Sequence, residues 1–408
     1  MTGKKEKASQ SAFSKGELLP QEEMLEISKK GKKLIIGIPK EVSPNENRVA
    51  LAPHAVELLT HNGHTVLVEA NAGEGAHFSD LDYAEVGGTI VQKHESIFNS
   101  DIVLKVSPPN LKEIEYLKPD QTLISTLQIA TQNKNYIQKL LSTKINAIAF
   151  EYLKDKKYNY YPVIRSMGEI AGSTSILIAA EYLSNVNEGK GEMLGGISGI
   201  SPSEVVIIGA GTAGEFAART AIGLGALVKV FDLSVYKLSR LQNNLGTRIF
   251  TSILQPRVLQ KALRTADVVI GALHQTDETN HFSVSEDIVK KMKPNSVIVD
   301  ISIDHGGCFE TSRVTSHENS VYKVHNVIHY CVPNIPSRVA RTASYALSNI
   351  FGHILLDIAN AGGIKQILKA NDGIRNGTYI YKGILTNDSI GNKLDIPSRD
   401  INLLITAF

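Results

Sequence analysis

Residues 204–221 read EVVIIGAGTAGEFAARTA, an apolar run, three glycines in six residues, and then an amphipathic stretch. Gly209, Gly211 and Gly214 keep the spacing G-x-G-x-x-G between an expected strand and an expected helix. The first glycine permits a tight turn, the second lets a pyrophosphate approach the backbone, and the third lets the helix pack on the strand. The free N–H groups and dipole of the helix N-terminus then favour phosphate. The next strand, LVKVFD, ends in Asp232, about 20 residues on, where a carboxylate can bind adenosine ribose hydroxyls. That charge disfavours a 2′-phosphate, so the stretch predicts NAD rather than NADP, although Lys237 and Arg240 lie nearby.

Outward from this turn, strand and helix patterns alternate in both directions. After it come LVKVFD, ADVVIGAL, SVIVDIS and VYKVHNV; before it come KLIIGI, HTVLVEA, DIVLKV, QTLISTL and INAIAFEYL. Such a βαβ rhythm predicts parallel sheets covered on both faces. Two long helical stretches, MGEIAGSTSILIAAEYLSN and RTASYALSNIFGHILLDIANAG, separate the halves. The expected fold is α/β, with two Rossmann-like doubly wound domains joined by long helices and the first domain discontinuous. Its expected parts are an extension over 1–33, a substrate domain over 34–164 and 342–408, and a nucleotide domain over 165–341. The tail beyond the second long helix carries no further sheet pattern. In the extension, LPQEEMLEISKKGKK reads as a short surface helix.

Composition narrows the function. A chain of 408 residues is too long for one ordinary core. A net charge of +2 leaves no electrostatic footprint for nucleic acid or an acidic membrane. The charged start is not a secretory signal, and no apolar run reaches the ~20 residues that span a bilayer. The two cysteines, Cys308 and Cys331, form no spaced metal set. A cytoplasmic protein with a small-molecule substrate and no metal is expected.

In open α/β sheets, ligands bind beyond the carboxyl ends of the strands. Four polar residues fall there and are expected to face one cleft: Arg48, Lys105, Gln128 and Asp304. Arginine suits bidentate binding of a carboxylate. Lysine can polarise a carbonyl, and an aspartate beside a nicotinamide can act as a base or orient water. Three have a plainer reading: Arg48 as a surface charge, Lys105 as a strand-end lysine reaching for solvent, and Asp304 as the cap of the turn before Gly306-Gly307.

GIPKEVSPNENRVAL, GKGEMLGGISGISPSEVVIIGAGTAG, MKPNSVIVDISIDHGGCFETSR and HYCVPNIPSRVARTASYALSN together resemble alanine dehydrogenases, and more distantly the nucleotide-binding part of nicotinamide nucleotide transhydrogenases. The resemblance implies oxidation of L-alanine, or another small amino acid, by NAD and water to a keto acid, ammonium and NADH, and the reverse amination. It makes Arg48 the ligand of the substrate carboxylate, Lys105 a substrate-binding and carbonyl-polarising residue, and Asp304 the catalytic acid near the reacting carbon. It puts Thr212 and Ala213 at the phosphates, and Asp232 and Lys237 at the adenosine half. Ile301, Arg313, Val332, Asn334 and Ile335 fall around the nicotinamide or its ribose. It also implies a homo-oligomer, usually a hexamer.

The chain departs from this pattern in three places. Alanine dehydrogenases carry a catalytic histidine in a segment similar to LFTYLHLA; this chain reads LISTLQIA, with Gln128 in its place. Glutamine can hydrogen-bond a keto oxygen but cannot shuttle a proton, help worth ~10²–10⁴ in rate. Gly168 stands where the family has a serine, and ALHQTDETNHF replaces a proline-containing loop. His274 and His305 are the candidates for supplying the missing proton. These departures leave two alternatives: an NAD-binding sensor or scaffold with weak activity, and an enzyme that joins an amino acid to a keto acid through an imine.

Overall fold

The computed structural model describes residues 31–129, 131–155, 157–273 and 282–407. The helix expected at the N-terminus, His274 and most of the loop that contains it lie outside these residues.

Six short strands open the chain: β1 (Ile35–Ile38), β2 (Thr65–Glu69), β3 (Thr89–Val91), β4 (Ile102–Leu104), β5 (Thr122–Ser125) and β6 (Asn146–Ala149). Seven more follow the helix Pro162–Leu183: β7 (Glu204–Ile208), β8 (Leu227–Asp232), β9 (Phe250–Ile253), β10 (Val268–Gly271), β11 (Val297–Asp300), β12 (Val321–Val324) and β13 (Val327–Tyr330). Beyond the helix Ala340–Asn360 come β14 (Thr378–Tyr381) and β15 (Ile384–Leu385).

The strands form two sheets, ordered β15-β14-β6-β5-β4-β1-β2-β3 and β12-β13-β11-β10-β7-β8-β9. In each, six parallel strands follow the doubly wound order 3-2-1-4-5-6, so the direction of winding reverses between β1 and β4 and between β7 and β10. Ligands bind at such switch points. Continuous apolar strands suit this arrangement, because both faces are covered. Ile102 and Leu104 of β4 enter one core while Val103 enters another, and Val205 and Ile207 of β7 face away from Val206 and Ile208.

Two sequence readings need correction. The tail does contain sheet: β14 pairs antiparallel with β6, and β15 with β14. The strand is only TYIY, four buried residues of which two are tyrosines, so no alternation reveals it. VYKVHNV does hold a strand, β12, but also the hairpin turn into β13, reversed at His325 and Asn326 with φ of 52° and 62°. Paired positive φ values match the twist of flanking strands, which is why such two-residue turns are favoured.

Candidate active site

All four cleft candidates lie at carboxyl ends of strands. Arg48 follows β1, Lys105 directly follows β4, Gln128 follows β5, and Asp304 sits in the 3₁₀ turn Ile301–His305 after β11. Arg48 and Lys105 thus flank the switch point of the first sheet, and the glycine turn after β7 occupies that of the second.

Arg48 is not a surface charge. Its guanidinium is buried and held by Glu46, with Nε donating to Oε1 at 2.7 Å and Nη2 to Oε2 at 2.6 Å, while Nη1 lies 3.3 Å from the Met167 sulfur. Burial opposes the charge, but Glu46, Glu41 and Asp304 hold its pKa above the ordinary value. Glu46 also accepts from Asn334 Nδ2 at 2.9 Å, which ties the first sheet to the loop after β13. With three of five N–H donors engaged, the fork is oriented and keeps donors for a ligand.

Lys105 does not reach for solvent either. It is fully buried, and Nζ donates to both oxygens of Glu113, at 2.8 and 3.1 Å, with Glu41 Oε2 at 3.6 Å. Burial opposes its charge, and Glu41 and Glu113 raise its pKa above the usual lysine range. Glu41 accepts from the amides of Val106 and Ser107. Burial pushes the Glu41 carboxyl up to about 7, against Lys105 and with help from Glu46.

An acid whose folded pKa is raised binds protons more tightly in the folded state. Glu41 therefore contributes stability that is complete below its unfolded value and lost as pH rises toward 7. We expect Glu41→Gln to flatten this decline, so its urea midpoint changes less than that of wild type between about pH 5 and about pH 7.5.

Asp304 keeps an exposed edge, but the groups packed around it exclude enough water to raise its pKa, against the Asn334 amide and the positive charge of Arg48. Asn334 N donates to Oδ2 at 3.5 Å. Asp304 does not cap its turn; Asp300 does. The Asp300 carboxylate accepts from Ser302 N at 3.1 Å, Cys308 N at 2.7 Å and Ser312 Oγ at 2.6 Å. Burial lifts it to about 6 despite these bonds. Asp300 thus organises the loop that presents Asp304. His305 follows on the same turn, and partial burial lowers its pKa.

Gln128 is exposed, with φ of 50°, a left-handed backbone uncommon for glutamine, and no hydrogen bond joins it to Arg48, Lys105 or Asp304. Its amide and that of Leu127 donate to Glu151 Oε1, at 3.2 and 2.7 Å. Glu151 Oε2 is buried without a hydrogen-bond partner among the described residues, and burial raises the pKa of this carboxyl.

On the second sheet, Gly209 has φ of 115°, and a Cβ there would lie 2.3 Å from Ala272 O. A Cβ on Gly214 would lie 1.8 Å from Gly209 O, so helix and turn touch backbone to backbone. At Gly211 a Cβ would meet nothing within 4 Å; the turn is open where a pyrophosphate would approach. Thr212 and Ala213 begin the helix Thr212–Gly223 beside that opening, with Gly168 close by, its Cβ position 3.5 Å from Thr212.

Asp232 is at the expected strand end, but its carboxylate is buried and accepts from Ala210 N and Ser234 N, both at 2.7 Å. It braces the glycine turn. Arg240 donates from Nη2 to Ala210 O at 3.2 Å, and the Lys237 amide caps on Ser234 Oγ at 3.3 Å.

Val332 and Ile335 are buried, Ile301 is half-buried, and Asn334 adopts φ of 60° between the two sheets. Arg313 stands apart: its guanidinium stacks 4.1 Å from the Tyr322 ring centroid and makes no hydrogen bond or ion pair with Asp304 or the glycine turn. Among the described residues, no group of acids, histidines and cysteines is arranged to hold a metal ion, and no helix is long and apolar enough to cross a membrane.

Sequence reasoning missed Glu41, Glu46, Glu113 and Asp300. Only Glu113 carried a local signal, because N-x-x-E at Asn110–Glu113 spells a capping box, which the helix Leu111–Tyr116 displays.

Two doubly wound sheets, one carrying a glycine turn open to phosphate, define a two-sheet Rossmann-type protein of the dinucleotide-binding class. The comparisons sharpen this. Residues 37–171 match the family described as Alanine dehydrogenase/PNT, N-terminal domain, and residues 175–388 match Alanine dehydrogenase/PNT, C-terminal domain. The chain belongs to the alanine dehydrogenase/PNT family. It is 38% identical over 369 residues to alanine dehydrogenase 2 of Staphylococcus aureus (strain USA300), covering 90% of this chain and 98% of the relative. A solved structure of an L-alanine dehydrogenase superposes with a TM-score of 0.82 at 34% identity, over 88% of this chain and 98% of the other. A transhydrogenase from Sinorhizobium meliloti shares the fold, with a TM-score of 0.73 at 23% identity, over 87% of this chain and 99% of that one.

Proposed function

We propose that this protein is an NAD-dependent L-alanine dehydrogenase, converting L-alanine, NAD and water to pyruvate, ammonium, NADH and a proton, and catalysing the reverse amination. The observation that carries the reading is the approach of Arg48 to Asp304 across the two sheets, bridged by Glu46 and Asn334. A carboxylate anchor and a titratable acid then face one cleft, with the glycine turn at the switch point of the neighbouring sheet.

In this reading residues 34–164 and 342–408 form the substrate half and 165–341 the NAD half. NAD would lie along Gly209, Gly211, Thr212, Ala213 and Gly214, with Asp232 and Lys237 toward the adenosine end. Ile301, Arg313, Val332, Asn334 and Ile335 belong to the nicotinamide end. When bound, NAD supplies the hydride acceptor. Arg48 orients the substrate carboxylate through the N–H donors Glu46 leaves available. Lys105, poor in water and rich in carboxylate neighbours, donates a hydrogen bond to the oxygen that develops charge as water adds to the imine. Asp304, its pKa raised by the cleft, takes the proton of the amino group or of the attacking water. Gln128 hydrogen-bonds the same oxygen without moving a proton. A cytoplasmic homo-hexamer is the expected form.

A panel of small amino acids and keto acids, assayed with NAD and NADH, tests the substrate. Gln128→His tests the site. Histidine is among the residues that accept a left-handed backbone, so the fold is expected to tolerate it. Alanine turnover should rise about tenfold or more, toward the ~10²–10⁴ that general acid–base help supplies. An unchanged rate would mean that the cleft is built for another substrate.

A further inference from the structure

We propose that Glu113 and His94 form with Lys105 a proton relay, leading from the substrate cleft to a second cleft beside β2. The proposal rests on the dehydrogenase reading and addresses what Gln128 cannot do.

Glu113 is 1% exposed and fixed by its capping box, with Oε2 accepting from Asn110 N at 2.7 Å. Its Oε1 has two neighbours, Lys105 Nζ at 2.8 Å and His94 Nε2 at 3.5 Å. His94 begins the short helix His94–Ile97, and its Nδ1 lies 2.7 Å from Glu69 Oε2 at the end of β2. Exposure rises along the path, from 0% at Lys105 through 1% at Glu113 to 28% at the His94 side chain. The path ends in a cleft of about 670 Å³ lined by Glu69, Lys93, His94, Glu113 and Tyr116.

Chemistry makes this chain more than a static set of ion pairs. His94 Nδ1 faces Glu69 Oε2 and its Nε2 faces Glu113 Oε1, so the ring stands between two carboxylates. Lys105 meanwhile has carboxylates of both Glu41 and Glu113 within 4 Å, more negative charge than one ammonium balances. Lys105, Glu113 and His94 thus stand in line, each with a nitrogen or oxygen that can carry a proton facing the next. The charged and titratable groups around His94 and its cleft are Glu69 of β2, Lys112, Glu113 and Tyr116 of the Leu111–Tyr116 helix, and Lys93 and Glu95 of its own segment, with Lys40 donating its amide to Glu69 at 2.7 Å.

Each oxidation releases one proton. Lys105 Nζ takes it from the substrate oxygen as it gives one to Glu113 Oε1, so one N–H bond forms and one breaks. Glu113 passes its proton to Nε2 of His94. The imidazolium releases a proton to water in the second cleft, and the ring returns to the Nδ1–H form that Glu69 holds. No oxidant beyond the NAD of the main reaction is needed.

His94→Gln tests the relay at a half-exposed site where a polar replacement preserves the fold. We expect kcat for amino-acid oxidation to fall about tenfold or more, with the Kd for NAD unchanged. Added imidazole should restore the variant's rate in proportion to its concentration and leave wild type unaffected. Wild-type kcat in the variant, or a loss that imidazole does not repair, overturns the relay and leaves the dehydrogenase reading standing. A wild type that reduces no NAD with any amino acid overturns both.

Discussion

Asp304→Asn is expected to lower amino-acid turnover by about 10³-fold while NAD binding stays intact. The substitution keeps the size and shape of the side chain, and an amide oxygen can still accept from Asn334 N. The turn itself depends on Asp300, not on Asp304, so the loop should hold its geometry. What is lost is a group that can take and return a proton beside Arg48. Steady-state kinetics with alanine and NAD binding followed by fluorescence separate the two effects. Turnover within about tenfold of wild type would remove Asp304 from the chemistry.

Lys105→Met should be nearly as damaging, and for two reasons. On the role proposed for Lys105, activity is lost with the donor to the substrate oxygen. Stability falls by about 3–5 kcal/mol, because Glu41 and Glu113 are left buried without their shared cation. The loss should depend on pH. In wild type the raised pKa of Lys105 keeps its contribution intact throughout the neutral range, since that contribution fades only above the lysine's unfolded value. In the variant the two carboxyls can avoid the cost only by protonating, so the deficit should be larger at about pH 8 than at about pH 6. Urea unfolding at both values checks this. An equal deficit at the two values would mean that the carboxylates are not the cause.

The frame of the site was legible because its causes are local. A strand, a glycine turn and a helix in sequence dictate the phosphate-facing end of β7, and a doubly wound sheet collects every strand's carboxyl end along one edge. Arg48, Lys105 and Gln128 could therefore be placed at that end of the first sheet, and Asp304 at that end of the second, from the strand pattern alone. What each side chain does there depends on distant neighbours. Nothing near Lys105 in the chain announces Glu41, 64 residues earlier by number, and nothing near Arg48 announces Asn334. Asp232 shows the reverse limit: its position was readable, but the two backbone amides that claim its carboxylate were not. The TYIY strand escaped notice because tyrosine reads as ambivalent until a core is seen to enclose it.

The central claim is that this chain moves hydride from a small amino acid to NAD. The measurement that meets it most directly uses L-alanine carrying deuterium at C2, incubated with the protein and NAD at alkaline pH, with mass spectrometry of the NADH formed. NADH with one deuterium is expected, with pyruvate and ammonium in equal amounts. NADH without the label, or none at all from alanine or any other small amino acid, would contradict it.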